Sequence, residues 1–148
     1  MTERNGLAQP AVYIILLNWN SAADTLRCLR AVALLRGRQA QGMVVDNGSE
    51  PADLERLRSG IARWGFAVEL VETGRNLGFG GGCNAGIRLA LERGAEFVWL
   101  LNNDAVPHPD ALQAMLRVME GDAQIGAVGS VIYDLATQNE RAGRRAFP

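Results

Sequence analysis

Lysine is absent from the sequence, and all fifteen basic side chains are arginine. Arginine forks suit phosphates and carboxylates, but so uniform a bias also follows from genome composition and identifies no ligand by itself. An excess of one charge is missing too. Sixteen acidic residues leave a net charge of -1, which excludes binding to nucleic acid or an anionic membrane surface by charge alone. Histidine occurs once and cysteine twice, at Cys28 and Cys83, with no metal-ligand spacing. A zinc site is thereby excluded, and the thiols are expected to be reduced. No stretch approaches the ~18 consecutive apolar residues that argue for a membrane span. The opening residues, MTERNGLAQP, lack the apolar core of a signal peptide. The expected location is cytoplasmic, with any membrane contact peripheral, at the inner face.

Apolar residues, by contrast, are plentiful. They make up 48% of the 148 residues, enough for a single core. One domain is expected over 11–134, between a disordered tail at 1–10 and a polar segment at 135–148. The run AVYIILL, Ala11 to Leu17, is continuously apolar and β-branched, and predicts a strand buried on both faces. Ser21 and Asp24 then form a capping-box variant for a helix to about Leu35. GMVVD is a second strand ending at Asp46, and Pro51 opens a helix carrying Leu54, Leu57, Ile61 and Trp64 at helical spacing. Phe66 to Glu72 predicts a third strand. TGRNLGFGGG reads as a loop, and CNAGIRLALERG as a helix stopped at Gly94. FVWLL is a fourth strand, a helix with Leu112, Leu116 and Met119 starts near Pro109, and IGAVGSVIYD is a fifth strand. Strands alternating with helices at this spacing predict an α/β fold, a Rossmann-like three-layer α/β/α sandwich with a mostly parallel sheet.

Ligands of such sheets bind at the carboxyl ends of the strands. The polar clusters fall there: Asn18 and Asn20, then Asp46 and Asn47, then Arg75 and Asn76, and finally Asn102, Asn103 and Asp104. Several of these residues have a purely structural reading as well. Asp46 suits a helix cap or an Asx-turn as well as a ribose or base contact. GFGGG suits a flexible turn, or a close backbone approach to a ligand at a helix N-terminus. Asp104 suits a cap, although Asp110 is the natural acid for the helix that follows. A spare carboxylate beside an amide also suits Mg²⁺ or Mn²⁺, if a diphosphate supplies the other oxygens. His108, between two prolines, reads as a loop residue. Trp99 reads as packing, and Trp19 as packing or as a platform for a base. Cys83 reads as a small filler, with no histidine near it in sequence to activate it.

In this order, VYIILLNWNS, VVDNGS, NLGFGGGCNAGI, FVWLLNNDAVPHPDAL and IGAVGS resemble the family-two nucleotide-sugar glycosyltransferases, and most of all their rhamnosyltransferase-like branch. The resemblance covers about Val12 to Tyr133. It implies the glycosyltransferase A form of the sandwich, the nucleotide-diphospho-sugar transferase type. It also implies transfer of a sugar, with inversion, from a dTDP-, UDP- or GDP-sugar to a saccharide or lipid-linked acceptor, as in polysaccharide biosynthesis. By position it places Asn18 and Asn20 beside the base, Asp46 on base or ribose, and Asn76, Gly78 and Asn84 along the nucleotide pocket. Asn102 and Asp104 match the two ends of a D-x-D motif, the first near the ribose and the second on a Mg or Mn ion. The first acid of that motif is here Asn102, one anionic ligand fewer.

Family members continue into an acceptor-binding half that carries the catalytic base. That base is therefore expected outside these residues, since neither Asp134 nor Glu140 matches a base motif. An uncovered cleft would favour self-association into a homo-oligomer. Two rivals stand beside this reading. Gly80 to Ala85 fits G-x-G-x-x-A with Asp104 downstream, as in an NAD(P)-binding oxidoreductase domain, though in the third strand-helix connection and with no role for Asp46. A non-catalytic nucleotide-sugar-binding module is the other.

Overall fold

A computed structural model describes residues 12–64 and 68–133. The expected tails at 1–10 and 135–148, with Asp134 and Glu140, lie outside them, as do Ala11 and Phe66. Eight elements alternate: β1 (Val12–Asn18), α1 (Ala22–Val32), β2 (Ala40–Asp46), α2 (Pro51–Trp64), β3 (Val68–Glu72), α3 (Gly78–Glu92), β4 (Phe97–Leu101) and α4 (Ala111–Gly121). The four strands form one all-parallel sheet in the order β3-β2-β1-β4. This is the α/β class read from the sequence.

Handedness explains which face each helix covers. From β1 to β3 the chain steps one way across the sheet, so right-handed crossovers put α1 and α2 on the same face. From β3 to β4 it steps back over β2 and β1, so α3 must cross on the other face. The two cores agree. Val12, Ile14 and Leu16 pack with Leu29 of α1, Leu57 of α2, and Leu112 and Leu116 of α4. Tyr13 and Ile15, with Met43 and Val45, pack under Ala90 of α3. The alternation of side chains along a strand thus supplies two cores from one continuous apolar run.

Two expectations are corrected. The glycine-rich segment is not a loop, because α3 already begins at Gly78 and takes in GFGGG. Packing requires its glycines: a Cβ on Gly82 would stand 2.4 Å from Leu17 Cδ1, and one on Gly86 2.9 Å from both Ile15 and Val45. The helix can lie against the sheet only where side chains are missing, and that contact overrides the poor helix propensity of glycine. The predicted fifth strand is also not present, since residues 125–133 carry no strand and Val131, Ile132 and Tyr133 are exposed. With α4 on the α1 and α2 face, a parallel strand beyond β4 would need a left-handed crossover, which sheets avoid.

Candidate functional site

Parallel strands end together, so the residues after β1, β2 and β4 meet at one edge. Asn18 closes β1 and is fully buried, 0% exposed. The two hydrogens of its Nδ2 are shared among Asp46 Oδ1 at 2.9 Å, Ser49 Oγ at 3.0 Å and Asp53 Oδ2 at 3.2 Å, while its Oδ1 accepts from Thr25 Oγ1 at 2.7 Å. Asp46, 2% exposed, also accepts the Ser49 N–H through Oδ2 at 3.1 Å. Buried carboxylates are costly unless their oxygens are bonded. No buried side-chain polar atom among the described residues lacks a partner. Asn18 and Asp46 therefore form the frame beneath the surface.

The start of α1 differs from the predicted capping box. Ser21 Oγ donates to Asp24 Oδ2 at 2.8 Å and makes no cap bond to the backbone. The Ala22 N–H is instead held by both carboxylate oxygens of Asp53, at 3.0 and 3.2 Å. A residue of α2 thus caps α1, where a negative charge is favourable. Asn20 adopts a left-handed φ of 52° in the turn between β1 and α1, and its Oδ1 accepts the Glu50 N–H at 2.7 Å. Asparagine tolerates that backbone better than most residues.

Asn47 ties the end of β2 to the start of α3. Its Nδ2 donates to Asn76 Oδ1 at 3.1 Å and to the Gly78 carbonyl at 3.2 Å, and its Oδ1 accepts the Leu77 N–H at 3.0 Å. Asn76 Oδ1 in turn accepts the Gly78 N–H at 2.7 Å. Here the two loops are in close contact: a Cβ on Gly48, whose φ is +76°, would lie 2.5 Å from the Arg75 carbonyl carbon. Around Gly78 and Gly80 there is open space, so the first turn of α3 leaves its backbone accessible from outside.

At the end of β4, Asn103 Nδ2 donates to Thr25 Oγ1 at 2.9 Å, and the Asn102 carbonyl accepts from Cys28 Sγ at 3.6 Å. Burial, reinforced by the nearby Asp104 charge, pushes the Cys28 thiol up to about 12. Burial raises Cys83 as well, which suits a filler and not a thiolate nucleophile. Asp104 is exposed and makes no hydrogen bond or ion pair among the described residues. No group of three or more His, Cys, Asp or Glu is assembled among them. A free carboxylate beside amides fits a hard divalent cation only when the cation brings other oxygen ligands, such as a diphosphate.

A cavity of about 420 Å³ opens between the ends of β1 and β4 and the first turns of α3, lined by Leu17, Trp19, Asn47, Asn76, Phe79 and Asn102 among others. The strand order reverses between β1 and β4, and ligands of open sheets bind at such switch points. Of the residues that the family resemblance assigns to the nucleotide or the metal, Asn76, Gly78 and Asn102 line the cavity, joined by Asn47 and Asn103 of the strand-end clusters. Asn18 and Asp46 lie buried at the same strand ends, and Asn20 shapes the adjoining turn. Asn84, on α3, and Asp104 are exposed and not part of the lining. Trp19 and Phe79, 56% and 66% exposed, both line it, whereas Trp99 packs against the core. His108 is an exposed loop residue whose Nδ1 accepts the Asp110 N–H at 3.2 Å. The sequence reading passed over Thr25, Ser49, Asp53 and Phe79 and gave Asn47 no specific role. The glycines of Gly80–Ala85 lie within α3 and do not form a tight strand-to-helix turn.

Comparison with known proteins agrees with this geometry. A mannosyltransferase from Pyrobaculum calidifontis, solved with GDP-Man and Mn2+, superposes with a TM-score of 0.66 at 22% identity, over 76% of this chain and 33% of its own. TarS of S. aureus, solved with UDP-GlcNAc, superposes with a TM-score of 0.62 at 18% identity, over 74% of this chain and 31% of its own. These likenesses establish the glycosyltransferase A type of fold, and the chain spans about a third of the length of each structure. Curated protein sequences yield no match. The model of the family described as glycosyl transferase family 2 matches residues 13–147, nearly the whole chain. The chain therefore belongs to glycosyl transferase family 2.

Proposed function

We propose that the chain forms the donor side of an inverting, metal-assisted glycosyltransferase, taking a sugar from a nucleoside diphosphate to an acceptor hydroxyl. The observation that carries the proposal is the cavity at the β1–β4 switch point, with the unengaged Asp104 carboxylate in the loop that leaves β4. Asn76, Gly78, Asn84 and Asn102 are assigned to the nucleotide, with Asn20 at the base. Asn18 and Asp46 are assigned to the frame that holds these loops, because their polar atoms are already engaged within the protein. Trp19 offers a flat face to a base.

Asp104 would hold a Mg or Mn ion together with the diphosphate. Such an ion stabilises the negative charge that develops on a leaving diphosphate. The neighbours' GDP-Man and UDP-GlcNAc support a nucleotide-sugar donor and leave GDP, UDP and dTDP open. A saccharide or lipid-linked acceptor, as in polysaccharide biosynthesis, and self-association complete the proposal. Among the described residues no helix is long and apolar enough to cross a membrane. Two free buried cysteines suit a reducing compartment, and we place the protein on the cytoplasmic side, peripheral to the membrane.

Isothermal titration of UDP, dTDP and GDP, with and without Mn²⁺, tests this. One nucleotide should bind, bind tighter with metal, and lose that gain in Asp104→Ala. Binding of NAD in place of all three would sink the proposal.

A further inference from the structure

We propose that α1 positions the loop that carries Asp104, through a two-point clamp made by Thr25 and Cys28; the functional consequence rests on the donor-site reading above. Residues three apart on a helix share a face. From that face Thr25 Oγ1 accepts Asn103 Nδ2 at 2.9 Å, and one turn later Cys28 Sγ donates to the Asn102 carbonyl oxygen at 3.6 Å. A hydroxyl has one proton to give. The shorter of the two Thr25 contacts, 2.7 Å to Asn18 Oδ1 against 3.2 Å to the Ser21 carbonyl, directs that proton mainly to Asn18. Both Thr25 and Cys28 are fully buried, so this proton and the thiol have no water to turn to.

The bonds form a continuous path. Asn103 reaches Thr25, Thr25 reaches Asn18, and Asn18 reaches Asp46. The loop after β4 is thereby tied across β1 to the end of β2. Among the described residues Asp104 makes no hydrogen bond or ion pair, so the two residues before it fix its place, and α1 grips both of them. Thr25 and Cys28 are positioning residues that act through Asn102 and Asn103.

Three variants test the clamp. Thr25→Val removes the hydroxyl and keeps the shape, Thr25→Ser keeps the hydroxyl, and Asn103→Ala breaks the same bond from the half-buried loop side. The first readout needs no ligand: hydrogen exchange of the Ala105 amide, which donates to the Asn102 carbonyl at 3.1 Å. It should accelerate about 3- to 10-fold in Thr25→Val and Asn103→Ala, as expected for the loss of the one hydrogen bond that ties Asn103 to α1, and stay near wild type in Thr25→Ser. The second readout is the ratio of nucleotide affinities with and without Mn²⁺, which should fall by a similar factor in Thr25→Val and Asn103→Ala. Metal-free affinity should not move in Thr25→Val, as it would if Thr25 merely supported the fold. Unchanged exchange in both Thr25→Val and Asn103→Ala overturns the clamp. Faster exchange with an intact Mn²⁺ gain overturns its role in placing Asp104. Should wild type bind no nucleotide while exchange responds as described, the clamp stands and the donor-site reading fails.

Discussion

Replacing Gly48 by alanine should cost far more than replacing Gly74, although both glycines have a left-handed backbone, with φ of +76° and +70°. The conformational penalty is shared, about 1–2 kcal/mol for a residue with a Cβ in that region. The surroundings differ. Nothing lies within 4 Å of a Cβ on Gly74, whereas one on Gly48 would meet Arg75 and Asn76 backbone atoms at 2.5 to 2.6 Å. Carbon atoms settle at about 3.5–4.0 Å, so the two loops would have to part by roughly 1 Å. Backbone cannot rotate away as a side chain does, and overpacking of this kind costs about 1–3 kcal/mol. Parting the loops also strains the bonds from Asn47 to Asn76, Leu77 and Gly78, each worth about 1 kcal/mol. Gly48→Ala should therefore lose about 3–5 kcal/mol and Gly74→Ala about 1–2 kcal/mol, measured by urea denaturation with the slope checked for constancy. Equal losses would show that the close contact of the two loops carries no energy, and that the frame of the cavity is looser than the distances imply.

Asn18→Leu should destabilise by about 2–4 kcal/mol, because it strips partners from buried groups on Thr25 and Asp46, while Asn84→Ala on the exposed side of α3 should stay within about 0.5 kcal/mol; thermal melts compare the two. The Cys28 thiol is held above its ordinary value of 9.0, at about 12, by burial and the Asp104 charge. The folded state thus favours the protonated thiol, so its contribution is fully present below pH 9 and is lost as pH rises towards 12; denaturation of wild type and Cys28→Val across that range should show a shallower decline in the variant. Mn²⁺ alone should bind weakly or not at all, since one free carboxylate is a poor site, and should bind measurably once a nucleoside diphosphate is present, as electron paramagnetic resonance of the free ion can report.

The strands most legible in the sequence were those with uninterrupted apolar runs. Ala11 to Leu17 announced a strand buried on both faces because helices cover both sides of β1, and Leu57 marked the inward face of α2; Phe97 to Leu101 announced a parallel strand as well, but at the sheet edge none of its residues is fully buried and Leu100 is 45% exposed. The predicted start of α3 came late because helix propensity sees glycine as a breaker. It cannot see that Gly82 and Gly86 rest on Leu17, Ile15 and Val45. IGAVGSVIYD has the composition of a strand, yet the topology offers no parallel place beside β4. Site residues at strand ends were legible as a group, because parallel strands must finish together. Their division into frame and lining was not. Asn18 and Asn102 look alike in sequence, and only partners up to 35 residues away bury the first and leave the second exposed. Asp53 went unnoticed because the helix it caps is α1 and not its own.

The Asn18 network has a temporal consequence as well as a spatial one. Every partner in it, from Asn18 and Thr25 through Asp46, Ser49 and Asp53 to Asn103, lies within residues 18–103. A chain emerging from the ribosome therefore holds the whole set once β4 and the first residues after it are out. The rim of the cavity can lock while synthesis continues, so whatever chain follows meets a finished edge.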